Sequence, residues 1–154
     1  MSKWNSPNEK TKIYATDINT DVLQAAKTGL FPLDNMKKYT SNYIKAGGKK
    51  AFSDYYHVTK HGVKFHSSLT KNVVFAQHNL VTDGSFNEFN VILCRNVLIY
   101  FNKPLQDKVQ TLFYNSLAMF GILGLGDKET IAYTNVADSY EPVVSHQKIY
   151  KKVK

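Results

Sequence analysis

The run Asn90-Val91-Ile92-Leu93-Cys94-Arg95-Asn96-Val97-Leu98-Ile99-Tyr100-Phe101 constrains the fold of this chain more than any other stretch. It is apolar and β-rich, is interrupted once, by Cys94-Arg95-Asn96, and leads at once into helix-start residues. Such a run predicts a strand buried on both faces whose carboxyl end opens onto a site. Phe89 to Leu93 is continuous and mostly β-branched or aromatic, as a central parallel strand requires, and a guanidinium and a carboxamide follow where that strand should leave the sheet. Ligands of open α/β sheets bind at such carboxyl edges. Arg95 is the only arginine beside nineteen lysines. In a chain that otherwise uses lysine for cationic positions, this one calls for a planar fork, either for a ligand or to tie a loop down through backbone carbonyls.

A length of 154 residues with 43% hydrophobic residues suits one domain with its own core and is too short for two. The single cysteine, Cys94, excludes an intrachain disulfide and a cysteine-based zinc cluster, and suits a reducing compartment, so a cytoplasmic protein is expected. The first residues have no apolar signal core, and no run reaches the roughly 20 apolar residues of a membrane span, so membrane insertion is not expected. The net charge of +8 is uneven: eight lysines lie between Lys37 and Lys71 against one acid, Asp54. That face attracts acidic partners, protein or nucleic acid, or is simply solvated surface. No arginine accompanies those lysines, which argues against a phosphate-reading surface.

Residues 1–11 are polar and contain Pro7, and are expected to form a disordered arm. Lys12 to Ile18 predicts a strand, Asn19 or Thr20 then caps a helix with Val22, Leu23, Ala26 and Leu30 on one side, and Gly29 stops it. Asp17 thus stands at a strand's carboxyl end, where a carboxylate can accept hydrogen bonds from ribose hydroxyls or merely cap the next helix. A helix is predicted over residues 35–45 and a short helix or turn near 49–54. The segments around Lys60-His61-Gly62 predict a hairpin within an inserted β element. His57, His61, His66 and His78 lack metal-ligand spacing with a Cys or carboxylate partner, so no metal is expected. Asn72 to Leu80 predicts a third strand, ending in Asn79, able to bond a purine edge or cap a turn, and Leu80, able to cover a base. Asn102 and Pro104 start a helix with Leu105, Val109, Leu112, Phe113, Leu117 and Phe120 near one stripe. The Gly121 to Gly126 stretch predicts a strand and lacks the order of a phosphate-binding loop. A last strand over Gln147 to Val153 is expected at a sheet edge. This alternation predicts a largely parallel α/β sheet with a reversed strand at its end.

With these pieces placed, the chain resembles the CheR family, the chemotaxis receptor glutamate O-methyltransferases that use S-adenosylmethionine. The resemblance rests on Ala15-Thr16-Asp17-Ile18-Asn19, on Val74-Phe75-Ala76-Gln77-His78-Asn79-Leu80 and above all on Leu93-Cys94-Arg95-Asn96-Val97-Leu98-Ile99-Tyr100-Phe101, in that order. It implies a Rossmann-like methyltransferase sheet over residues 12–154 with a β insertion at about residues 50–72. It implies S-adenosyl-L-methionine as methyl donor, with Asp17 and Ile18 at the ribose, Asn79 and Leu80 lining the adenine pocket, and Cys94, Arg95 and Asn96 against the cofactor. Tyr100 would sit near the sulfonium and the incoming carboxylate, and Arg95 or Tyr100 would orient that carboxylate. The implied partner is a chemoreceptor or related signalling protein, which in some members docks its tail on the β insertion as an added strand.

The family carries, upstream of its Ala-Thr-Asp-Ile stretch, a first strand, a glycine-containing acidic loop, a helix and a helical amino-terminal domain. Eleven residues precede the first strand here, and a strand, loop and helix need roughly 20. The expectation is a carboxyl-terminal part of such an enzyme, with the absent strand's place between the strands ending at Asp17 and Asn79. Weak or no cofactor affinity is expected of the chain alone, unless a partner chain supplies that strand. Two other readings stand beside this one: a non-catalytic docking module that binds peptide through the β insertion, and an RNA methyltransferase relic, against which stands the lack of clustered arginines.

Overall fold

The computed structural model describes residues 11–144 and 146–154. Nearly all of the arm expected at residues 1–11 therefore lies outside the described residues. Two compact units are formed, Met1–His78 and Asn79–Lys154.

In the first unit, β1 (Ile13–Asp17) is followed by α1 (Thr20–Thr28). Asn19 caps the helix by accepting hydrogen bonds from the Asp21 and Val22 amides, worth about 1 kcal/mol. Gly29, at φ 64°, ends it in the left-handed conformation that costs a glycine nothing. Of the expected helix stripe only Leu23 is buried, while Val22 is half exposed. Leu30 instead begins β2 (Leu30–Phe31). After α2 (Met36–Lys45), the expected hairpin forms as β3 (Tyr56–Thr59) and β4 (Gly62–Phe65). The pairing order β2-β4-β3 makes β4 the centre of a three-stranded antiparallel sheet. Phe31, Phe52, Tyr56 and Phe65 meet edge-on there at centroid distances of 5.3–5.8 Å, so the insertion has an aromatic core of its own.

β5 (Val73–Gln77) lies parallel to β1, in register from Ile13 opposite Val73 to Asp17 opposite Gln77. This corrects the place expected for the absent strand: the strands ending at Asp17 and Asn79 are not left as unpaired edges but share backbone hydrogen bonds, and the His78 amide continues the ladder by donating to the Asp17 carbonyl at 3.1 Å.

In the second unit, β6 (Phe89–Cys94), α3 (Lys103–Ser116), β7 (Leu117–Leu125), β8 (Tyr140–Pro142) and β9 (Ile149–Lys152) build a four-stranded sheet in the order β6-β7-β9-β8. β6 and β7 are parallel, and β9 runs antiparallel to both its neighbours. The predicted reversed strand is thus present, but it is interior rather than an edge, because β8, which the sequence did not announce, pairs outside it. The start of α3 is as predicted, with the Asn102 side chain accepting from the Leu105 amide and Pro104 in the first turn. The helix stops at Ser116, where the Lys152 ammonium donates to the Tyr114 and Leu117 carbonyls at 2.8 Å each, a cation at the helix's negative end. Phe120, at φ 64°, falls in a bulge of β7 and points its ring outward, 63% exposed.

The core of this unit is Cys94, Leu98, Val109, Phe113, Leu117, Leu123, Leu125, Ile131, Val136 and Tyr140. β6 contributes only one face to it. Ile92 and Cys94 turn inward while Val91 and Leu93 are 54% and 74% exposed. The expectation of burial on both faces is corrected accordingly: among the described strands β6 pairs with β7, and the side chains of Val91 and Leu93 are largely exposed.

Candidate functional site

Parallel strands end together, so β1 and β5 bring the carboxyl end of each to one rim of the first unit. Asp17 is half-buried there, and its Oδ1 accepts the Asn19 amide at 2.8 Å, closing the turn into α1. Its second carboxylate oxygen has no hydrogen bond among the described residues. Ile18 beside it is 59% exposed, and its carbonyl accepts the Gln77 side-chain amide at 3.0 Å. Gln77, in register with Asp17, thereby braces this turn across the strand pair.

In the second unit, Asn79 closes an Asx turn. Its amide donates to Asp83 Oδ2 at 2.8 Å, and its Oδ1 accepts the Val81 amide at 2.9 Å. Of the two uses read from the sequence, the oxygen takes part in the turn, and the carboxamide NH2 has no hydrogen bond among the described residues. Leu80 packs against the core of its unit.

The turn after β6 is built around one carboxylate. Glu129, 4% exposed, accepts the Val97 and Leu98 amides at Oε1, 2.8 Å each, and the Asn96 and Gly126 amides at Oε2, 3.0 and 2.6 Å. Burial pushes its pKa up, and the four backbone hydrogen bonds outweigh this and hold it below the ordinary carboxylate value. Asn96 has φ 59°, in the left-handed region that Asn tolerates better than most residues, and this rotation is what turns three successive N–H groups toward one point. A Cβ on Gly126 would stand 2.7 Å from Glu129 Oε2 and 2.9 Å from the Asn96 nitrogen, so the close approach of the two loops requires glycine.

Around this anchor the side chains divide. Cys94 is a core residue whose thiol is pushed up to about 12, by burial first and the Glu129 charge second, so its side chain is inert packing here. Leu98 is buried, and Tyr100, two residues on in the same 3₁₀ turn, is 81% exposed. Arg95 points to solvent and donates from Nη2 to Asp127 Oδ1 at 3.2 Å, so its fork is held by a side chain rather than by backbone carbonyls. The loop Gly126–Glu129 therefore supplies one carboxylate to the turn's backbone and another to its guanidinium. Sequence reasoning missed Gln77, Gly126, Asp127 and Glu129. The available signal for the last three was an acidic, glycine-led loop at the carboxyl end of the strand that follows the arginine motif.

Comparison with known proteins decides the family. A family model described as the CheR methyltransferase, SAM binding domain, matches residues 2–148. The chain belongs to this family. Its fold is the mixed α/β, Rossmann-like one of these methyltransferases, with parallel and antiparallel pairs in the described sheets. Among relatives, Cher3 of Pseudomonas putida is 46% identical over 94% of this chain and 53% of its own length. The chemotaxis protein methyltransferase of Borreliella burgdorferi is 35% identical over 82% of this CheR chain and 43% of its own. That of Salmonella typhimurium is 28% identical over 79% and 41%. The chain spans about half the length of the curated relatives it matches. No helix among the described residues is long and apolar enough to cross a membrane.

Proposed function

We propose that this CheR-family chain takes part in methyl transfer from S-adenosylmethionine to glutamate side-chain carboxylates of a cytoplasmic chemoreceptor region. The observation that carries the reading is the turn after β6, where a buried anchor leaves Arg95 and Tyr100 on the solvent side at a strand's carboxyl end. Each unit, taken by itself, carries residues whose chemistry suits part of the cofactor. Asp17 keeps a free carboxylate oxygen for ribose hydroxyl donors, Ile18 offers an exposed apolar surface beside it, and the Asn79 NH2 can donate to a purine nitrogen above Leu80. Arg95 and the Asn96 carboxamide supply polar contacts at the next turn.

S-adenosylmethionine, when bound, supplies an electrophilic methyl group. A glutamate carboxylate is already ionised at neutral pH, so the chain need not furnish a strong base and contributes alignment and offset of repulsion. Arg95 can pair with an incoming carboxylate by exchanging it for Asp127, an exposed partner of the same chemistry. Tyr100, with its hydroxyl in solvent, can donate to the second oxygen. Replacing Tyr100 by Phe in the complete protein is expected to lower methyl incorporation into receptor by at least about tenfold, the scale of one lost positioning hydrogen bond. Unchanged turnover removes Tyr100 from the mechanism.

Among the described strands β6 pairs with β7, and its exposed Val91 and Leu93 support a further strand pairing there from outside the described residues, in the same polypeptide or from a partner chain. The docking reading also has an observation in its favour. β3 is an edge strand of the inserted sheet, with Val58 64% exposed and Lys60 and Lys64 close by in sequence, which suits an extended acidic tail added as a strand. Receptor-tail binding that persists with no cofactor, alongside no methyl transfer under any condition, would favour docking alone.

A further inference from the structure

The Asn96-Val97-Leu98 backbone is an anion-binding nest. A left-handed residue followed by a right-handed one, Asn96 at φ 59° and Val97 at φ −114°, ψ −48°, turns successive N–H groups into one concavity of the kind that elsewhere holds phosphate or carboxylate ligands. Here the concavity is filled by the chain itself, from Glu129, with the Gly126 amide closing the fourth side. The turn it fills carries Arg95 and leads to Tyr100, and the same loop reaches Arg95 through Asp127. Among the described residues no lysine or arginine forms an ion pair with Glu129, and four backbone N–H groups converge on its charge.

We propose that Glu129 is the positioning residue of this site: an internal anion that sets the conformation of the Arg95–Leu98 turn and, through it, the presentation of Arg95 and Asn96 to the cofactor. This rests on the function proposed above only in its second half. Truncation to alanine empties the nest, the N–H groups lose their common acceptor, and left-handed Asn96 loses the contact that compensates its backbone conformation, while a shorter carboxylate reaches the nest only in part. The nest itself remains encoded by the chain, so a small free carboxylate can re-enter it.

Two arms test this. In the first, backbone amide hydrogen exchange is followed in the Glu129→Ala chain with and without formate. The Asn96, Val97 and Leu98 amides should lose at least about tenfold protection while Val109 and Phe113 in α3 keep theirs, and formate should restore it. Unchanged protection at the three amides, equal loss throughout the unit, or no response to formate overturns the proposal. Where that variant fails to fold, the wild-type chain gives the answer by NMR: the Glu129 carboxyl carbon and the amides of Asn96, Val97, Leu98 and Gly126 should titrate with a single midpoint, and separate midpoints overturn it. In the second arm, the complete Glu129→Ala protein should show KM for S-adenosylmethionine raised at least about tenfold, lowered again by formate, with Glu129→Asp intermediate. A first arm as expected with unchanged KM overturns the link to the site. Wild-type protein that binds no S-adenosylmethionine ends the reading in Proposed function while the first arm still decides the role of Glu129 in the turn.

Discussion

Glu129 shows how backbone amides stabilise a buried carboxylate: four converge on it, and each is worth more there than in water because the site is closed. The consequence for pH is definite in sign. Its folded-state pKa lies below the ordinary 4.5, so its contribution to stability is fully present above that value and is lost as pH falls through the folded-state pKa. Thermal melting from neutral to acid pH should show the wild-type chain losing stability as pH falls below the ordinary value of 4.5, and Glu129→Gln should be less stable at neutral pH with a flatter acid limb. A variant curve parallel to wild type would dismiss the idea. The Arg95–Asp127 pair is the opposite case. Both partners face solvent, so Asp127→Asn should shift stability by no more than about 0.5 kcal/mol in urea titration, and a larger loss would mean the pair is doing more than its exposure allows. Cys94, pushed up to about 12, should resist iodoacetamide at pH 8 in the folded chain and react only on unfolding; rapid labelling would contradict its packing. At this scale Arg95 was legible because a lone arginine among lysines in a broken apolar run is anomalous. Glu129 was not, because nothing local distinguishes an acid that caps a loop from one that reaches 31 residues back to the Leu98 amide.

Among the elements, those whose signals are local came out as the residues predict. Asn19, Gly29, Asn102 and Pro104 bound their helices, since caps and stops act within one turn. The hairpin between β3 and β4 likewise follows from its own loop. Gly62 sits at φ 132°, and a Cβ there would stand 2.5 Å from the Phe31 carbonyl oxygen, so Gly62→Ala should detach β2 from β4 and cost at least about 1 kcal/mol, read as lost exchange protection at Leu30 and Phe31; retained protection would refute this. In the second unit β7 is the buried centre, and fully buried Leu123→Ala should cost about 2–5 kcal/mol by urea unfolding, whereas a loss under 1 would mean the strand's surroundings collapse onto the gap. Strand placement was less legible. The last strand lies inside its sheet because Tyr140–Pro142 pairs beyond it, and a three-residue strand after an irregular loop has too few residues to show alternation.

On the scale of the whole molecule, the described strands fall into separate sheets, and β6, whose sequence is that of a central strand, has one neighbour. Val91 and Leu93 of this apolar strand are 54% and 74% exposed, so the further strand proposed above has a direct readout. Amides of β6 on the side away from β7 should exchange at least about tenfold faster than those of β7, and should become protected when the remaining half of a relative-length protein is supplied in the same chain or in trans. Failure of that protection would mean that β6 stays an edge. The sequence by itself determined most of the helices and strands, the caps of the first and last helices, the family and the three motifs at strand ends, because all of these are written in residues near one another along the chain. Only the tertiary structure decided that the strands of Asp17 and Gln77 pair directly, which strand is an edge, and that Glu129 fills the turn behind Arg95. Those outcomes depend on which distant backbone groups find each other, and hydrogen-bond partners carry no signature in the local sequence of either side.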